Sequence, residues 1–290
     1  MDCSVVLVHY KTPDCLSACL DSIARDRDGL AVEIVVVDNA SHDGTADRMR
    51  RERQDVRVNE NDRNAGYATA VNQGMRATTG EFFLVMNPDC ILRPGALATL
   101  VEFMRTHPRA GIAGPQMLDP DGSLQYSARG FPSPWTFVFS RYSPLTRWFP
   151  RNRFSRRYLM SDWDHSTARD VDWLSGACVL VRRRTVDEVG PMDEAFFMYH
   201  EDIDWCRRIR QAGWSVTYVP EAVVVHEIGA SRRQAGAELI YRRHQGLVHY
   251  VRKHHPMHPA LAALTHGLIM ARAGLLMAVH SVRGRRRGRA

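Results

Sequence analysis

The first 115 residues alternate strand and helix signals and predict an α/β fold on a mostly parallel sheet. Three observations carry that expectation. Valine-rich apolar runs recur without polar alternation, as in strands buried on both faces. Each run is followed by apolar residues at helical spacing. Each run also ends in polar residues, and in α/β sheets ligands bind beyond those carboxyl ends.

Residues 4–10, SVVLVHY, read as the first buried strand. The stretch 13–26 follows as a helix, with Pro13 at its start and Leu16, Leu20 and Ile23 on one face. Residues 32–41 form a second strand, and 43–52 a short helix for which Asp43 is a candidate N-cap. Residues 55–60 are a third strand, 64–80 a helix stopped near Gly80, and 81–89 a fourth strand ended by Asn87-Pro88. Another helix, 94–108, closes the repeating part. Strands separated by helices imply crossover connections, hence parallel pairing. The polar residues at the strand ends are His9, Tyr10, Asp38, Asn39, Asn87 and Asp89.

The pattern then changes. Residues 114–130 read as a hairpin turning at Asp121-Gly122. Residues 130–168 are rich in Arg, Pro and aromatics without periodicity; a loop of that length is usually functional or mobile. Strand character returns at 171–183, a helix is expected over 196–213, a strand pair over 214–226 and a polar helix near 232–254. The last stretch, 259–290, is apolar and about long enough to span a bilayer. His266, Arg272 and His280 interrupt it, which favours an interfacial helix with a basic tail.

Composition narrows the function classes. The chain has 290 residues, 44% hydrophobic and 24% charged, which fits a globular protein rather than a disordered or fibrous one. The net charge of +7 is concentrated in Arg141, Arg147, Arg151, Arg153, Arg156 and Arg157, and in the tail arginines 283, 285, 286, 287 and 289. These clusters suit anionic lipid or phosphate. They lie in a loop and a tail rather than along a reading element, so a nucleic-acid partner is not expected. The six cysteines form no CxxC pair and no zinc spacing, and read as small buried hydrophobes of a reduced cytoplasmic protein. GxGxxG, the P-loop, HExxH and GxSxG are all absent. The HHPMH at 254–258 reads as an exposed loop more than a metal site. A phosphate-bearing ligand would therefore need a carboxylate-held divalent cation instead of a glycine cradle. The segment FFMYHEDIDWCRRIRQAG, 196–213, crowds Glu201, Asp202 and Asp204 at a helix start. Glu201 and Asp204 share a face, and Asp202 points about 100° away. Such acids suit the positive helix N-terminus, and one of them is a candidate catalytic base.

The stretches SVVLVHYKTPDCLSACLDSI, EIVVVDNASHDGT, DRNAGYATAVNQG, FFLVMNPDC, GPQMLDPDGS, WLSGACVLVRRRTVDEVGPMDEAFFMYHEDIDWCRRIRQAGW and YVPEAVVVH occur in that order over residues 3–226. Together they resemble family 2 glycosyltransferases of the GT-A fold, most closely the rhamnosyltransferase-like branch. The resemblance implies a GT-A domain over 1–230, with a nucleotide-binding half (1–115) and an acceptor half (116–230). Residues 231–290 would form C-terminal helices lying on a membrane. It further implies inverting, metal-dependent sugar transfer from a nucleotide-diphosphate sugar. The branch suggests dTDP-L-rhamnose as donor and a polyprenyl-diphosphate-linked sugar as acceptor, on the inner face of the cell membrane. A UDP-hexose donor, or a non-catalytic nucleotide- or lipid-binding module, is the alternative. Asp89 takes the last position of the family's metal-binding DXD motif and would bind Mg²⁺ or Mn²⁺; Asn87 replaces its first aspartate. His226 resembles a histidine that completes the metal site in some members. Val8, His9, Tyr10, Asp38, Arg63, Asn64, Asn72 and Asn87 would line the nucleotide sugar. Asp202 would be the base, with Glu201, Asp204 and Trp173 near the acceptor.

Overall fold

The computed structural model describes every residue except 28, 133–147, 149–151, 228–235 and 288–290, with backbone alone for 236–237 and 282–287. Strands β1 (Cys3–His9), β2 (Val32–Asp38), β3 (Val56–Glu60) and β4 (Phe82–Met86) pair in parallel in the order β3-β2-β1-β4. Helices α1 (Pro13–Asp26), α2 (Thr45–Glu52) and α3 (Tyr67–Arg76) connect them. The sheet continues through β11 (Cys178–Arg182), β6 (Ala110–Leu118), β12 (Ser215–His226) and β5 (Cys90–Leu92). Of these, β11 and β5 run antiparallel to their neighbours. Helix α4 (Ala96–Thr106) joins β5 to β6. The short strand β7 (Leu124–Gln125) returns along β6, β9 (Arg169–Asp170) pairs with β12, and β8 (Ala128–Arg129) pairs with β10 (Trp173–Leu174) apart from the main sheet.

The apolar runs are continuous because the sheet is covered on both faces. Val5, Leu7, Leu84, Met86 and Leu180 pack with Leu16, Leu20, Ile23, Leu97, Leu100 and Met104 on one side. Their neighbours in sequence, Val6, Val8, Phe83, Val85, Val179 and Val181, pack with Val71, Trp205 and Ile209 on the other. The period-two alternation of side chains explains the split. Cys3, Cys19, Cys90, Cys178 and Cys206 are free thiols in this interior, and Cys15 is half-buried.

Three expectations change in detail. The fourth strand stops at Met86; Asn87-Pro88 turns the chain, and residues 90–92 run back as β5. Residues 171–183 split into β10 and β11 around Gly176, and Arg183 already opens helix α6 (Arg183–Val189). Residues 214–226 are one strand rather than a pair. Its register shifts between Val219 and Val223, around Pro220, which has no N–H to donate to a ladder.

The expected loop contains helix α5 (Arg153–Leu159). Arg141, Arg147, Arg151, Arg289 and the proposed domain boundary at 230–231 lie outside the described residues. Helix α7 (Glu201–Gln211) is gripped by α8 (Gly236–His254). Asp204, fully buried, accepts from Arg208 Nε (2.8 Å), Lys253 Nζ (2.8 Å) and His254 Nε2 (2.7 Å). Burial opposes its ionisation, but the bonds from Lys253 and Arg208 outweigh it and hold the carboxyl below its ordinary value. Asp204 is thus committed to a structural ion cluster instead of facing an acceptor. The HHPMH stretch begins in the same anchor, with His255 Nε2 3.5 Å from Arg207. Helix α9 (Pro259–Arg287) packs on α8 but leaves Leu261, Leu264, Leu268, Leu275, Leu276 and Val279 exposed. At about 100° per residue these six fall within roughly 120° of arc.

Removing one partner of a buried pair strands the other charge. Asp204→Ala is expected to cost about 3–5 kcal/mol in urea unfolding and to speed amide exchange throughout α8. Unchanged exchange in α8 would show that this cluster does not hold the helix.

Candidate active site

The parallel register sets His9 opposite Asp38, bringing the first two strand ends together. His9 is buried, its Nε2 3.3 Å from Asp43 and its Nδ1 3.4 Å from the Thr12 hydroxyl. Burial holds the imidazole below its ordinary value despite the charges of Asp38 and Asp43. Asp38, also buried, accepts from Ser41 N–H at 3.0 Å. The cap position of α2 falls to Gly44, at φ 77°, rather than to Asp43, which stands one residue earlier and accepts from the Thr45 N–H at 3.0 Å. Tyr10 is half-buried, and Val8 puts its side chain into the core, which leaves its backbone at the strand end.

Asn39 organises the next loop. Its amide nitrogen donates to Asn64 Oδ1 (2.9 Å) and Gly66 O (3.2 Å), and its oxygen accepts from Ala65 N–H (2.9 Å) and Asn61 (3.1 Å). Asn64 is thereby held in the loop, while Arg63 is exposed beside it. Asn72 is not at this surface. It is buried and exchanges hydrogen bonds with the Met192 backbone at 2.8 and 3.1 Å, so it ties α3 to the segment before α7.

Beyond β4, the pairing of His226 with Cys90 sets Asp89 beside His226. Half-buried Asn87 opens the turn before it. The His226 Nε2 stands 3.5 Å from Asp89 Oδ1, a buried oxygen that receives no hydrogen bond. The other ring nitrogen, Nδ1, meets Gln125 Oε1 at 2.9 Å. With Nδ1 as donor, the neutral ring turns a lone pair on Nε2 toward a carboxylate oxygen. Two acceptors facing each other across a buried gap fit a cation between them. Asp89, Cys90 and His226 all bring a ligand atom within 4.8 Å of one another. The Cys90 thiol instead points to Ala177 O at 3.3 Å, and burial pushes it well above its ordinary value. Asp89 and His226 are therefore the fitting donors.

The third group begins α7. Tyr199 and His200 both take left-handed φ, 68° and 74°, a conformation that costs non-glycine residues energy and clusters at functional sites. This bend aims the helix start at the loop before β11. Asp202 Oδ2 accepts from Gly176 N–H (3.2 Å) and Oδ1 from Ile203 N–H (2.9 Å). A Cβ on Gly176 would sit 3.2 Å from that of Asp202, so glycine permits the approach. Tyr67, which sequence reasoning passed over, donates its hydroxyl to Gly176 O at 3.1 Å. Its hydroxyl lies within electrostatic reach of Glu201, Asp202 and Asp89. Burial raises the Asp202 carboxyl above its ordinary value, against the Gly176 and Ile203 N–H bonds and the charge of Arg129. Burial pushes Glu201 well above the carboxylate range, and Asp202 adds to it. Glu201 Oε2 has no hydrogen-bond partner. Both carboxyls of the pair are therefore raised, and only that of Asp202 has N–H groups and a nearby guanidinium to favour its charge.

The tryptophans are walls rather than sugar platforms. Trp173 is 5% exposed and bonds Gly130 O through Nε1; Trp205 is 1% exposed and bonds Gly190 O. Arg129 lies over the Trp173 ring at 5.2 Å, which fixes a cation near Asp202.

Polar residues thus gather at the carboxyl ends of β1, β2 and β4, with a facing acceptor pair beyond β4 and a separate carboxylate on α7. Similarity to known proteins narrows the class. Residues 4–190 match the model described as "Glycosyl transferase family 2". An N-acetylglucosaminyl-diphospho-decaprenol L-rhamnosyltransferase from Mycobacterium tuberculosis is 35% identical over 245 residues, 81% of this chain and 78% of its own. The rhamnosyltransferase WbbL of Escherichia coli is 29% identical over 54% of this chain and 56% of its own. Among solved structures, the mannosyltransferase PcManGT from Pyrobaculum calidifontis, in complex with GDP-Man and Mn²⁺, superposes with a TM-score of 0.58 at 20% identity. It covers 97% of this chain and 79% of that one. GalNAc-T7 with UDP, GalNAc and Mn²⁺ gives 0.59 at 20% identity, over 78% of this chain and 44% of that one. The chain belongs to glycosyl transferase family 2 and carries the GT-A fold as a rhamnosyltransferase-like glycosyltransferase.

His200 gives a stability test. Burial, with Arg243 nearby, pushes its imidazole down to about 3. The unfolded chain takes up that proton near 6.5, so stability present above 6.5 is lost progressively as pH falls toward about 3. His200→Asn keeps a residue tolerant of left-handed φ and removes the titration. Its melting temperature is expected to fall less steeply between pH 6.5 and 4 than that of the wild type; parallel curves would refute the assignment.

Proposed function

We propose that this chain transfers L-rhamnose from dTDP-L-rhamnose, with inversion, to a saccharide on a polyprenyl diphosphate at the inner face of the cell membrane. The reading rests chiefly on Asp202, a half-buried carboxylate held by two backbone N–H groups at the opening of α7 and apart from the Asp89–His226 pair. The acceptor hydroxyl attacks the anomeric carbon, the carbon–oxygen bond to the diphosphate breaks, and Asp202 takes the hydroxyl proton. An ordinary aspartate suffices, because that proton becomes acidic only as the new bond forms. A raised carboxyl, as here, is better matched still. Asp89 and His226 would hold Mg²⁺ or Mn²⁺, which neutralises charge developing on the departing diphosphate. His9, Asp38 and Tyr10 would line the base and ribose, with Arg63, Asn64 and Asn87 at the rim.

The sugar and acceptor of this reading are supported by the name of the mycobacterial relative, an N-acetylglucosaminyl-diphospho-decaprenol L-rhamnosyltransferase, and the dTDP carrier by that of a dTDP-rhamnosyl transferase from Shigella flexneri, 26% identical over 68% of this chain. The exposed leucine stripe of α9 supports a position on the membrane. Residues 259–281 are long and apolar enough to cross one, and almost none of that stretch is buried.

Turnover of dTDP-L-rhamnose with a lipid-linked N-acetylglucosamine acceptor, against a panel of UDP- and GDP-sugars, tests the reading; transfer from another donor alone would redirect it. Asp202→Asn is expected to lower turnover at least 10²-fold with donor affinity nearly unchanged, whereas Asp89→Ala should weaken metal-dependent donor binding. Identical behaviour of the two variants in binding and rate would contradict the division of roles. Because Asp202 acts ionised and its carboxyl is raised, kcat/KM should fall with acid along a limb centred above the ordinary aspartate value of about 3.9. A limb centred at or below that value would argue against Asp202.

A further inference from the structure

We infer that Gln125 is a positioning residue that decides which nitrogen of His226 meets the cation, an inference that rests on Asp89 and His226 being the metal ligands. The amide orientation follows from its neighbours. Gln125 Nε2 lies 2.7 Å from the His226 carbonyl oxygen and 2.8 Å from Asp119 Oδ1. Both are acceptors, so the amide nitrogen belongs there and the amide oxygen faces Nδ1 at 2.9 Å. An amide oxygen only accepts, so Nδ1 carries the hydrogen and Nε2 is left as the ligand atom on the Asp89 side.

The hairpin makes this possible. Register places Gln125 opposite Met117 and Leu118 opposite Leu124, while Leu118 also pairs with Val225 of β12. The short strand β7 thus sits across β6 from the end of β12. Gln125 is 9% exposed, so water competes little for these bonds. Asp119, held by the Ser123 hydroxyl at 3.3 Å, draws on the amide N–H and increases the basicity of its oxygen. The chain Asp119–Gln125–His226 performs the task that a carboxylate performs behind many metal-bound histidines. Loss of such a partner typically costs 10–100-fold in metal affinity.

The test measures Mn²⁺ affinity by electron paramagnetic resonance with saturating dTDP, UDP or GDP. Gln125→Leu is expected to bind Mn²⁺ about 10–100-fold more weakly than wild type, while its affinity for the same nucleotide without metal is unchanged. Equal Mn²⁺ affinity in wild type and Gln125→Leu would overturn the inference. So would a wild-type nitrogen-15 spectrum, recorded without metal, that shows neutral His226 protonated on Nε2; this measurement needs no variant to fold. Failure of the wild type to take up Mn²⁺ with any of the three nucleotides would overturn the metal reading itself, and the inference with it.

Discussion

The placement of Asp202 depends on one backbone contact. The N–H of Tyr67 donates to Phe197 O at 2.7 Å, and Gly66 lies so close that a Cβ would meet that oxygen at 2.7 Å. Gly66 also holds φ at +88°, open to glycine and strained for other residues. Here the loop leading into α3 touches the segment leading into α7. The contact fixes where Tyr67 projects, and Tyr67 in turn anchors the Gly176 peptide that feeds Asp202. Three chain segments far apart in sequence thus meet around Asp202 through one peptide–peptide hydrogen bond and the Tyr67 hydroxyl.

Electrostatics at that junction separate two adjacent acids. Glu201 and Asp202 are neighbours in sequence, yet only Asp202 receives N–H groups from outside its own residue, together with the nearby Arg129 charge. Glu201 is more deeply buried and lacks any such support. A third acid in the same turn, Asp204, is surrounded by cations and remains ionised as a tether. One short acidic run thus yields a proposed base, a raised acid and an anchor, each set by what packs against it.

This also explains how much the sequence disclosed. The strands of the nucleotide half were legible because double-sided burial writes itself as unbroken apolar runs. Helices α1 and α4 were legible because one face of each is apolar. Asp89, His226 and Asp202 stood out through a family pattern at strand and helix ends. What escaped notice was set by tertiary pairing. Strand β5 has three residues, too few for a pattern. Gln125 reads as one polar residue of a hairpin until β7 is seen opposite β12. Tyr67 and Gly176 act through a peptide group, and a backbone role leaves little trace in residue type. Asn72 and Trp173 were misplaced for a related reason: polar or aromatic character marks binding surfaces, but a buried amide bonded to backbone and a buried indole bonded to a carbonyl serve packing equally well.

The grip of α8 on the start of α7 alters what the carboxyl-terminal helices mean. Arg243 lies over the Tyr199 ring, Gly246 fits against the Tyr199 carbonyl, and the Tyr250 ring stands 6.4 Å from that of His200, tilted by 37°. The left-handed pair that aims Asp202 leans on a helix that contributes no atom to the chemistry. A truncated protein ending before residue 236 would keep every proposed catalytic side chain while losing the buttress that bends them into place. For expression and crystallisation, the helices should be treated as part of the catalytic unit, and apolar exposure on α9 met with detergent or lipid instead of deletion.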